Sequence, residues 1–130
     1  MEQARQLPVG EEIFLDHVAH FVPDMADAHR DLNRLGFVQT PYTEHRHRLD
    51  ETSEPVPSGT ANRCIMLPEG YIEVIAVSDA ATELGKRTQG QLDRYVGLHL
   101  IAFSCVDPES VQGRLTLTGR FRCTRSRWCI

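Results

Sequence analysis

Glu73 stands inside the apolar run Tyr71-Ile72-Glu73-Val74-Ile75-Ala76-Val77, and that position is the first place in this chain where chemistry shows. A carboxylate in such a strand either faces water from an open sheet or meets something positive, because burying it alone costs several kcal/mol. A bound metal ion is one such partner. A second intrusion interrupts the strand-like run Ile13-Phe14-Leu15-Asp16-His17-Val18-Ala19-His20-Phe21-Val22. The two-residue period of a strand puts His17 on the face of Leu15, Ala19 and Phe21, with Asp16 and His20 on the other. Each histidine taken alone reads more readily as a hydrogen-bonded sheet residue than as a ligand. Two polar intrusions in separate apolar strands carry more weight together.

The elements that must hold these residues follow from the pattern between them. Pro23-Asp24 opens a helix, with Asp24 as the cap, Asp27 in the first turn, and Met25, Ala28, Leu32 and Leu35 at helical spacing before Gly36. Phe37 to Thr40 reads as a resumed strand, and the polar stretch from Pro41 to Ser58 as a long loop with a short strand around Glu44 to Leu49. His45 and His47 in that loop read as solvated. Two strands joined by Pro68-Glu69-Gly70 follow, then a weakly helical connector from Asp79 to Gly97. Leu98-His99-Leu100-Ile101-Ala102-Phe103-Ser104-Cys105 next repeats the opening, with a histidine in an apolar strand and then Asp107-Pro108 as a helix start. Matching His17 to His99 gives an offset of 82 residues, and matching Asp24 to Asp107 gives 83. A strand bulge reconciles the two.

Composition bounds the answer. A chain of 130 residues, 41% hydrophobic, supports one domain with a core. Met1 to Gly113 carry 9 basic and 18 acidic residues, whereas Arg114 to Ile130 carry five arginines and no acid. The sequence contains no apolar run of the roughly 18 residues a membrane helix needs and no signal-peptide core after Met1, so neither membrane nor secretion is expected and a cytoplasmic location is. The four cysteines form no Cys-x-x-Cys pair, which argues against a zinc knuckle and a disulfide framework. The acidic body and absence of a reader motif argue against nucleic acid as a partner.

Taken together, Leu15-Asp16-His17-Val18-Ala19, the capped helix ending Leu35-Gly36-Phe37, and Gly59-Thr60-Ala61-Asn62-Arg63 through Tyr71-Ile72-Glu73-Val74-Ile75-Ala76-Val77 resemble the glyoxalase-like domains of the vicinal oxygen chelate superfamily. The resemblance implies an α+β fold: a βαβββ module over residues 12–113, with a second, incomplete repeat starting near residue 97. The basic segment 114–130 is then a tail outside the fold, and a frame-shifted or truncated gene product is one reading of it. By position, the resemblance makes His17, Glu73 and His99 candidate ligands of a divalent ion, with iron, manganese, nickel or zinc suited to imidazole and carboxylate together. Glu73 is also the catalytic candidate. Asn62, Arg63 and Tyr71 are candidate substrate contacts, and no nucleotide cofactor is expected. The implied function is a metal-dependent enzyme of lyase, isomerase, dioxygenase or transferase type acting on a small oxygen-bearing molecule. A metal-free module that sequesters a small ligand is the alternative, as is an inactive product. A single module with one extra strand leaves a sheet edge open, so a homodimer is expected.

Overall fold

The computed structural model of the chain describes residues 7–117. Eight elements follow one another: β1 (Ile13–Phe21), α1 (Met25–Arg34), β2 (Thr43–His47), β3 (Val56–Met66), β4 (Tyr71–Val77), α2 (Glu83–Leu92), β5 (Gly97–Cys105) and α3 (Pro108–Leu117). The first five form the βαβββ module, α2 is the connector, and β5 with α3 opens the repeat. The strands make one sheet in the order β2-β3-β4-β1-β5. Only β1 and β4 run parallel; the other three pairings are antiparallel.

Each face of the sheet is covered by a different helix. Alternation along β4 sends Val74 and Ala76 toward α1, where they pack with Val22, Met25, Ala28 and Leu32. Ile75 goes the other way and packs with Ala19, Phe21, Val77 and Leu92 of α2. Helix α1 begins as its residues dictate, with the Asp24 carboxylate accepting the backbone amide of Asp27 at 2.8 Å. Its end is set by Gly36, whose φ of +91° lies in the left-handed region.

Two expectations change. Phe37 to Thr40 form no strand. Thr40 is instead tied to β3 at its end, its amide donating to the Cys64 carbonyl, its hydroxyl accepting from the Cys64 amide and its carbonyl accepting from the Arg63 side chain. Pro41, which lacks an amide hydrogen, follows at once and stops a ladder from growing. The polar loop is also shorter than expected: the short strand expected around Glu44 to Leu49 is β2, and β3 already starts at Val56, which leaves residues 48–55. There the Asp50 side chain accepts from the amides of Thr52 and Ser53 and closes a tight turn.

Three irregularities in the ladders set the geometry of the site. Between Leu15 and His17, β1 carries one extra residue, Asp16, against Phe103 and Ala102 of β5. Between Ala19 and His20 the extra residue is on β5, and it is His99. A third shift lies between Glu44 and Arg46 of β2, opposite the β3 segment containing Gly59, whose φ is +94°. The repeat itself continues past residue 113, since α3 runs to Leu117 with Asp107 accepting the amides of Glu109 and Ser110. Of the expected basic tail, residues 118–130 lie outside the described residues.

Candidate functional site

Glu73 is 8% exposed and sits in the middle of β4, with Cys64 of β3 as its ladder partner on one side and Ala19 of β1 on the other. Its two oxygens face different neighbours. Oε1 accepts a hydrogen bond from the Asn62 side-chain amide at 2.6 Å and lies 3.2 Å from His45 Nε2. Oε2 lies 3.6 Å from His17 Nε2, beyond hydrogen-bonding distance. Burial pushes the Glu73 carboxyl up, but the hydrogen bonds from His45 and Asn62 and the charges of the two histidines outweigh it and hold the group below its ordinary value.

The outer nitrogen of each ring is held as well. His17 Nδ1 donates to Asp16 Oδ2 at 2.7 Å. Strict alternation would have put Asp16 on the opposite face; the extra residue in β1 turns it toward its neighbour. His45 Nδ1 shares a 2.8 Å hydrogen bond with the hydroxyl of Thr60, which is 2% exposed. Tyr71 stacks on the His17 ring, with centroids 4.4 Å apart and planes 13° from parallel. Its hydroxyl is pushed up to about 12, by burial first and then by the negative charges of Glu73 and Asp16. The Cys64 thiol is also pushed up, mainly by burial and then by Glu73.

Of the residues singled out from sequence, His17, Glu73, Asn62 and Tyr71 are brought together on one face. His99 and Arg63 are not. His99 is the bulged residue of β5, its ring is stacked on Tyr95 at 4.0 Å and lies against Phe21, and its Nε2 is bonded to the Tyr95 carbonyl at 2.9 Å. The one-residue slip between the two repeat alignments is thus taken up at the histidine itself. Arg63 pairs in register with Val74, so it shares the face of α1, and its Nη1 donates to the Thr40 carbonyl at 2.9 Å. Conversely, sequence reading left out Asp16, His45 and Thr60. For His45 the available signal was the two-residue period of Glu44-His45-Arg46-His47, which puts alternate residues on one face once the stretch is a strand.

Among the described residues, no three His, Cys, Asp or Glu side chains are grouped so as to hold a metal ion. Within this cluster, His17 Nε2 and Glu73 Oε2 face each other at 3.6 Å without a hydrogen bond between them. No described helix is long and apolar enough to cross a membrane.

Comparison with known proteins agrees with this architecture. The family model described as a glyoxalase-like domain matches residues 15–128. Among solved structures, the hypothetical protein BH1468 from Bacillus halodurans C-125 is similar at 19% identity, over 84% of this chain and 70% of that one, with a TM-score of 0.59. A methylmalonyl-CoA epimerase is similar at 21% identity, over 85% of this chain and 74% of that one, with a TM-score of 0.54. A variant of the Streptomyces coelicolor methylmalonyl-CoA epimerase, in complex with 2-nitronate-propionyl-CoA, is similar at 16% identity over 82% and 69%, with a TM-score of 0.53. No curated protein matches the chain. At these identities the solved structures speak for the fold, and the family match, which spans most of the chain, speaks for membership: this chain belongs to the glyoxalase-like domains of the vicinal oxygen chelate superfamily.

Proposed function

We propose that the protein is a metal-dependent enzyme acting on a small oxygen-bearing molecule, with His17 and Glu73 at its centre. The observation that carries this reading is the 3.6 Å separation of His17 Nε2 and Glu73 Oε2 at a buried carboxylate. Two ligands about 2.1 Å from one ion stand roughly 3.0–3.6 Å apart for bond angles between a right angle and a little beyond tetrahedral. The chemistry of the donors also suits an ion. With Nδ1 donating to Asp16, a neutral His17 turns the Nε2 lone pair toward a carboxylate oxygen, and only a cation or a proton between them makes that contact favourable. A carboxylate holding the far nitrogen of a ligand histidine is the usual outer partner of such a site.

Iron, manganese, nickel or zinc fits this mixed donor pair, and the described residues leave further coordination positions for substrate and water. When bound, the ion supplies a Lewis acid that polarises a substrate oxygen. The chain's own residues do the rest. Glu73 stays ionised at neutral pH beside the reacting atoms, and Asn62 holds its Oε1. Tyr71 keeps its phenolic proton and braces His17 by stacking. A buried carboxylate and an imidazole side by side, with a phenol ring stacked on the imidazole, would suit the movement of protons next to a carbonyl. Isomerase or lyase chemistry therefore fits better than dioxygenase or group transfer. The epimerases among its structural relatives are in keeping with that choice. The protein works in the cytoplasm as a homodimer in this reading.

Elemental analysis of protein purified without chelator tests the proposal, with His17→Ala and Glu73→Gln alongside. Near-stoichiometric first-row metal in the wild type, lost from both variants, is expected. Metal-free wild type that still binds small carbonyl compounds would overturn it in favour of a sequestering module. That second reading has its own support in the two donors, Asn62 and His45, already gathered on Glu73 Oε1.

A further inference from the structure

We propose that His45 is the positioning residue of this site: held through Nδ1 by the Thr60 hydroxyl, it donates Nε2–H to Glu73 Oε1 and, with Asn62, fixes the carboxylate so that Oε2 stays turned to His17. The inference rests on the reading of His17 and Glu73 as the working pair, and it adds a residue from a strand that the repeat pattern did not implicate. The asymmetry of the carboxylate carries it. Oε1 has two nitrogen neighbours, at 2.6 and 3.2 Å, whereas Oε2 has one, at 3.6 Å. A carboxylate free to rotate would exchange those roles; one clamped at Oε1 cannot.

The clamp is built into the fold. Thr60 is buried and its hydroxyl is 2.8 Å from His45 Nδ1, so the ring is held at the end away from Glu73. The backbone of His45 is pinned too, since its carbonyl accepts the Ser58 hydroxyl at 2.8 Å. Gly59, between these two β3 residues, has a left-handed φ at the register shift between β2 and β3. The carboxylate fixes the tautomer: Oε1 can only accept, so the facing Nε2 carries the proton, and in the neutral ring Nδ1 is then bare and accepts from the Thr60 hydroxyl. His17 takes the opposite tautomer, with its proton on Nδ1 toward Asp16. The two rings thus present a donor and a lone pair to opposite ends of one carboxylate.

The decisive measurement is the imidazole nitrogen NMR spectrum of the full chain at neutral pH, which distinguishes the two tautomers directly and needs no ion. The expected result is His45 protonated at Nε2 and His17 at Nδ1, with Thr60→Val disturbing the His45 signals and leaving the fold intact by backbone spectra. His45 protonated at Nδ1 alone would overturn the proposal. Zinc titration supplies the second arm. His45→Ala should weaken zinc binding about 10–100-fold, as loss of an outer-shell partner does, and His45→Gln, which retains a donor at the Nε2 position, should recover most of it. Unchanged zinc affinity in a folded His45→Ala protein would also overturn it. If the wild type binds no zinc or other ion, the metal-dependent reading fails, and the tautomer result still decides the role of His45.

Discussion

At the scale of single residues, the site is organised by what each polar atom has left over once its neighbours are counted. Glu73 is more stable ionised in the folded protein than in the unfolded chain, because donors on Oε1 outweigh the cost of burial. Its contribution to stability is therefore fully present above the ordinary carboxylate range and is lost as pH falls through its depressed folded value. Glu73→Gln should lower the melting temperature at neutral pH, with the gap to wild type closing as the solution is acidified; denaturation curves at a series of pH values check this, and a gap that widens in acid contradicts it. Tyr71 gives a second residue-scale prediction. Its hydroxyl is pushed up to about 12, so tyrosinate absorbance should contain a late step in that range. That late step should vanish in Tyr71→Phe.

At the scale of elements, strand ends and helix caps were legible in the sequence because their causes are local. Asp24, Gly36 and Asp107 act where they stand, and the apolar run from Tyr71 to Val77 is a strand whatever it pairs with. The bulges were not legible, since an extra residue in one strand is defined only by the partner opposite it. That is why Asp16 was assigned to the wrong face, and why His99 matched the repeat in sequence yet turned to Tyr95 in space. His45 was read as solvated for a related reason: the short strand around it was expected, but only its ladder to β3 shows that this histidine faces Thr60 and Glu73. The bulge around Gly59 yields a test. A Cβ there would meet the Thr82 hydroxyl and the Asp79 carbonyl in a backbone conformation that side chains rarely adopt. Gly59→Ala should cost about 1–3 kcal/mol in denaturant unfolding. It should also disturb the N-cap of α2, where Thr82 accepts the Gly85 amide. A neutral substitution would show that the bulge is not held this tightly.

At the scale of the whole molecule, β5 is an edge of the sheet among the described residues, and Leu15, Leu100, Ile101 and Phe103 around it are 39% to 61% exposed. Apolar groups beside an unpaired strand are a surface that chains tend to cover with one another. Light scattering at micromolar concentration should find a dimer, and Ile101→Lys should shift it toward monomer; a stable 14.7 kDa particle for the wild type would contradict the expectation. The parallel pairing of β1 with β4 has a different kind of consequence, in time. His17 is in register with Tyr71, a separation of 71 − 17 = 54 residues, whereas β3 and β4 are joined by a short turn. Local hairpins close early and distant pairings late, because the loop must be ordered before the contact rewards it. Asn62 and Glu73 therefore meet in the early hairpin, and His17 arrives only when β1 docks. A ligand bridging His17 and Glu73 ties together the last-formed seam of the module, so it should slow unfolding far more than it speeds folding.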